Sequence, residues 1–167
     1  FTDALSLYAI GLIAGNLVNV YSDNAGKDGW EKITLASIIG GMVINTAGVT
    51  LAHGMEHPAS GLRDIVHGKG LAALTPAIIE ASYTGNESKF ADIAKLFGGK
   101  EAKDLALKIR ELLKSINLNC TLSDLGIEEK DIPWMAENCM KVSAASVANN
   151  PVVFTQEQIA DIYKKAL

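Results

Sequence analysis

His53, His57 and His67 are the chain's only histidines, and they fall within fifteen consecutive positions. Imidazole is the commonest transition-metal ligand and the usual side chain for proton transfer near neutral pH, so this segment is the first candidate site. His53 and His57 are four apart, which on a helix places them on one face with Cβ atoms about 5–6 Å from each other. Spacing alone therefore pairs His53 with His57. His67 has to return to them after a bend, for which Pro58, Gly61, Gly68 and Gly70 offer turning points. An H-x-x-x-H pair by itself is a weak metal signal, and the third histidine strengthens it. Glu56 directly precedes His57, so the H-E-x-x-H order of a zinc-protease helix is absent.

The other polar residues of the segment have plainer readings. Glu56 is expected to be exposed rather than a proton acceptor for His57. Asp64 is expected to be solvated or to cap a helix rather than to support an imidazole. Lys69 sits between two glycines after His67, where a surface lysine is as good a reading as a contact to an anion. Trp30 and Trp134 read as packing residues, and no G-x-S-x-G, P-loop or Cys-His nucleophile pattern occurs.

The elements that must position the histidines are almost wholly helical. Thr2 is placed to cap a helix running to about Tyr21. Asp28 with Glu31 resembles a capping box for a long helix through His53. Pro58 disfavours helical geometry at His57, so that helix is expected to end or kink there. A further apolar helix is expected from about Leu71 to Tyr83, bent or restarted at Pro76. From Glu87 to Leu113, charges recur among Phe90, Ile93, Ala94, Phe97, Leu105, Ile109 and Leu112, the spacing of surface helices with one buried face. These are expected to wrap the uncharged helices. Asn117 to Gly126 reads as a loop with a short helical turn. Pro133 suits the first turn of another helix, Asn149-Asn150-Pro151 closes it, and Thr155 with Gln158 forms a capping box for a last helix ending near Leu167. With few alternating β-branched runs, the fold class is all-α, a multi-helix bundle.

Composition sets outer bounds. The 167 residues are 49% hydrophobic and 20% charged, enough for one compact domain with a core. A net charge of −4 with both signs interspersed argues against nucleic acid as a partner. Cys120 and Cys139 are too few and too far apart for a disulfide framework or thiolate metal site, and they suit a reducing, cytoplasmic location. Ala4–Ser22 and Ile33–Ala52 carry no ionised side chain and are long enough to span a bilayer. Both are interrupted by Ser, Thr, Asn or Gly and lack flanking basic clusters, so buried central helices are expected rather than a membrane hairpin. Asp3 and the absence of a basic start argue against a signal peptide.

The stretch Asn45–Gly68, with Gly48, His53-Gly54-Met55-Glu56-His57-Pro58, Gly61, Asp64 and His67-Gly68, closely resembles the signature of the iron-containing (group III) alcohol dehydrogenases. Phe1–Leu5, Leu122–Ile127 and the end from Asn149 through Thr155 to Leu167 look like the corresponding parts of that family's helical C-terminal domain. The resemblance implies a dehydroquinate synthase-like fold in which residues 1–167 form a single metal-binding domain. It also implies that His53 and His67 bind a catalytic divalent metal, iron ahead of zinc. His57 matches an active-site histidine beside the nicotinamide, assigned to proton relay or substrate positioning. The resemblance thus pairs His53 with His67, against the pairing that spacing suggests.

Two departures accompany the match. Family members complete the metal site from a Gly-Met-Asp-Ala-x-x-His type motif, which these residues lack, and they bind NAD or NADP mainly through an N-terminal α/β domain, whose glycine-rich turn is also missing here. The chain therefore looks like half of an enzyme acting on a small alcohol or aldehyde, inactive as an isolated fragment. A catalytically silent helical scaffold or dimerisation module is the alternative, since apolar surface left by a missing domain promotes homo-oligomers. Glycerol dehydrogenases and dehydroquinate synthases share the two-domain plan and are nearer competitors.

Overall fold

A computed structural model describes all of residues 1–167. Nine α-helices and three short 3-10 turns make up the chain, with no strand: α1 (Thr2–Tyr21), α2 (Gly26–Ala47), α3 (Leu51–Arg63), α4 (His67–Ser82), α5 (Glu87–Leu96), α6 (Leu105–Ser115), α7 (Ile132–Val142), α8 (Ala144–Ala148) and α9 (Gln156–Ala166). The helices divide into two compact units. Phe1–Gly48 with Ser88–Asn117 form the first; Val49–Glu87 with Leu118–Leu167 form the second.

In the first unit, α1 and α2 are joined by only four residues, among them Asp23 with φ 58°, and pack as a helical pair around Ala9, Ala36 and Ile39. Leu5, Leu12, Ile13 and Val43 flank that small core. The expectation of buried central helices fails here. Only Ala9 and Val20 of α1, and Gly29, Ala36 and Ile39 of α2, are buried, while Tyr8, Trp30, Ile38 and Met42 stand more than half exposed. A lack of charge does not ensure burial, because a two-helix contact covers one stripe of each helix and leaves the rest uncovered. By length and composition α1 is apolar enough to cross a membrane. The amphipathic pair α5 and α6 follows the predicted spacing, burying Ala94, Leu105 and Ala106. Lys89 reaches Asp3 at 2.7 Å, and Asn117 donates to the Tyr21 hydroxyl at 3.1 Å, so both ends of this segment are tied to α1.

The second unit holds the larger core, built from Leu51, Met55, Leu74, Leu122, Ile127, Ile132, Met135, Cys139, Ile159 and Tyr163. α3 packs against α4, α7 and α8. Its approach to α7 and α8 is close: a Cβ on Gly54 would lie 3.3 Å from those of Ser143 and Ser146. The buried Tyr163 of α9 donates its hydroxyl to the Met55 carbonyl at 2.5 Å.

Helix boundaries around the histidines differ from the sequence reading. The long helix expected through His53 stops at Ala47, because Gly48 (φ 73°, ψ −164°) and the extended Thr50 leave helical geometry. A new helix then starts at Leu51. Pro58 neither ends nor restarts α3, which continues to Arg63. The proline removes one backbone donor, whereas continuing the helix buries Met55, Pro58 and Ala59. Pro76 likewise sits inside an unbroken α4 among the buried Ala72, Ala73, Leu74, Ala77 and Ile78. α3 ends at Asp64, whose left-handed φ of 51° and N–H to Ser60 carbonyl bond (2.8 Å) give it the capping role considered for it. α2 and α1 start without the side-chain caps read at Asp28 and Thr2, but the Thr155 and Gln158 capping box is present.

Candidate active site

Two helices of the second unit carry the site. His53 lies in the first turn of α3 and His57 one turn further on, while His67 is the first residue of α4, which begins four residues earlier than its sequence suggested. The turn between the helices is only Asp64-Ile65-Val66. It brings all three rings together: centroids are 5.2 Å apart for His53 and His67, 6.0 Å for His57 and His67, and 6.1 Å for His53 and His57.

These spacings distinguish the possible pairs. Two imidazoles sharing one tetrahedral ion through metal–nitrogen bonds of about 2.0–2.1 Å have centroids roughly 5 Å apart. The His53 and His67 spacing of 5.2 Å fits that arrangement, and His57 stands further from both. Burial holds the His53 imidazole below its ordinary pKa, helped by the neighbouring His67 and His57 and partly opposed by Glu56. The neutral ring, with its free lone pair, is favoured. His57 and His67 are exposed, open to a ligand or solvent.

Glu56 is the residue that sequence reasoning misjudged. It is not exposed but fully buried, its Oε2 lying 2.5 Å from His67 Nδ1. Its Oε1 accepts from the Ser60 hydroxyl, whose oxygen is also 3.0 Å from the Ile65 carbonyl. Ser60 one helical turn after Glu56 was the available signal. Arg63 anchors the end of α3, donating from Nε to the Gly126 carbonyl (2.9 Å) and pairing with the largely buried Asp131 at 2.6 Å. Lys69 is exposed, as read, and its carbonyl accepts a long bond from Cys120.

All of residues 1–167 match the family model for the Fe-containing alcohol dehydrogenase family, C-terminal. The chain belongs to the iron-containing alcohol dehydrogenase family. The 1,3-propanediol dehydrogenase of Klebsiella pneumoniae is 36% identical over 173 residues, which cover 99% of this chain and 44% of that protein. The lactaldehyde reductase of Escherichia coli K12 is 31% identical over 175 residues, again 99% of this chain and 44% of the relative. A crystal structure of 1,3-propanediol oxidoreductase superposes with a TM-score of 0.90 at 35% identity, over 99% of this chain and 45% of that one. The all-helical fold is thus the C-terminal fold of iron-containing alcohol dehydrogenases, and the chain spans less than half the length of the curated relatives it matches.

The donors present fit part of a family metal site. Neutral imidazole nitrogens suit first-row divalent ions, and the His53 and His67 spacing suits a shared one. No group of three or more His, Cys, Asp or Glu side chains is arranged to hold an ion by itself.

Proposed function

We propose that this chain is the metal-holding half of an NAD(P)-dependent dehydrogenase that interconverts small alcohols and aldehydes by hydride transfer. The observation that carries the reading is the convergence of His53, His57 and His67 within 6.1 Å of one another, in a chain that matches this family throughout. His53 and His67 are the residues proposed to hold a divalent metal, iron ahead of zinc, from their neutral rings. When bound, such an ion supplies Lewis-acid polarisation of a substrate oxygen. His57, exposed on the same face, is proposed to accept the hydroxyl proton of an alcohol and pass it to solvent, or to return it to the product oxygen in the reverse direction.

Substrates of the kind named for the relatives, a three-carbon diol or a hydroxyaldehyde, suit this reading. The remaining metal donors and the nicotinamide cofactor, NAD or NADP, are assigned to an N-terminal domain, in keeping with the 44% of each relative that this chain covers. A cytoplasmic setting belongs to the same proposal, supported by Cys120 and Cys139 both being free thiols.

One experiment tests the reading. Zinc or iron(II) is titrated into this chain and into a version extended upstream, each with and without His53→Ala and His67→Ala. Tight binding that needs the extension and falls with either substitution is expected, and the 167 residues alone should show no turnover. Robust alcohol oxidation by those residues alone would refute the half-enzyme reading. The second reading, a silent scaffold or dimerisation module, is favoured by the exposed Ile38, Met42 and Trp30 of α2. Metal binding indifferent to both histidines would support it.

A further inference from the structure

We propose that Glu56 is a positioning residue that fixes the tautomer and orientation of His67, presenting its Nε2 for coordination. The inference rests on the metal reading given above for His67. A carboxylate with no solvent access is costly unless its oxygens are satisfied, and Glu56 satisfies both: Oε1 accepts from Ser60, and Oε2 meets His67 Nδ1 at 2.5 Å. A carboxylate can only accept, so the His67 Nδ1 that faces Glu56 Oε2 carries the ring proton. Nε2 is then the lone-pair nitrogen. A buried acid held against one nitrogen of a half-exposed imidazole is the arrangement that supports a histidine ligand from behind, raising its basicity and preventing rotation.

Gly70 gives an independent sign that the carboxylate's place is reserved. One turn into α4 from His67, it is buried, and a Cβ there would lie 2.8 Å from Glu56 Oε1 and 2.9 Å from Glu56 Cγ. Any side chain at position 70 obliges the glutamate to shift from this position. Ser60, Glu56, His67 and Gly70 therefore form one unit, in which α3 supplies the acid and α4 supplies both the ring and the space for it.

Histidine 15N spectra of the wild-type chain read the tautomer directly. His67 is expected with Nδ1 protonated and Nε2 as the unprotonated nitrogen. Glu56→Leu, of similar size and uncharged, should release His67 to a mixture of tautomers while the His53 and His57 signals keep their nitrogen pattern, and Glu56→Gln should retain part of the preference. Gly70→Ala should shift His67 in the same direction with the glutamate still present. A wild-type His67 protonated on Nε2, or a tautomer ratio unchanged in Glu56→Leu, overturns the proposal, and the wild-type spectrum decides even if a variant does not fold.

Zinc affinity in the upstream-extended polypeptide provides the second readout. A loss of about 10–100-fold is expected for Glu56→Leu. Affinity within twofold of wild type for Glu56→Leu, alongside a large loss for His67→Ala, also overturns the positioning role. Affinity indifferent to His67→Ala instead removes the metal reading, and the spectra still decide what Glu56 does.

Discussion

The two units are nearly opposite in how they use apolar and charged residues. The first contains the two longest helices in the chain, both uncharged beyond their opening turns, yet it buries five of their residues and leaves Ile38, Met42 and Trp30 in the open. The second carries all three histidines and a fully buried glutamate, and it also has the larger core. Charge is thus sequestered beside the histidines, and apolar sequence is exposed in the first unit. A buried acid needs a rigid surround to keep its hydrogen bonds in place, and the packed second unit provides one.

Truncating a methionine in each unit should show the largest contrast. Met55→Ala removes a side chain with no exposure at the centre of the second unit and should cost about 2–5 kcal/mol in denaturant unfolding. Met42→Ala, at 56% exposure, should change stability by less than about 0.5 kcal/mol. Equal losses would mean that the first unit's apolar face is covered in solution.

A smaller effect is expected from Arg63→Ala, which leaves the carboxylate of Asp131 without its cationic partner at the end of α3 and should cost about 1.5–3 kcal/mol. Tyr163→Phe is milder still. It removes the hydroxyl that reaches Met55 and should cost about 1–2 kcal/mol by thermal or chemical unfolding, without changing the first unit's hydrogen exchange. The least disturbing test is thiol labelling. Burial pushes the Cys139 thiol up to about 11, so at pH 8 it should resist a thiol reagent until the second unit opens, and its contribution to stability should decline only as pH rises from about 9 through 11. Rapid labelling in the native state would show that this core is looser than its packing implies.

Much of this was legible in the sequence, though unevenly. The all-α class, the amphipathic α5 and α6, the Thr155 capping box and the histidine segment follow from periodicity, capping residues and a family resemblance. The helix ends around the site do not, because Pro58 and Pro76 act locally while the burial that overrides them is tertiary. Glu56 was hidden for the same reason: only the short turn from α3 to α4 brings His67 against it, eleven positions later, and makes burial tolerable. Spacing paired His53 with His57, and the folded chain places His53 nearer to His67.

Metal affinity at His67 tests the central claim most directly. In the upstream-extended polypeptide, zinc competition against a chelator should show His67→Ala and His53→Ala each weakening binding by orders of magnitude, while His57→Ala leaves affinity nearly unchanged and lowers turnover. Affinity that depends on His57 as strongly as on His67, or on neither His53 nor His67, would contradict the account.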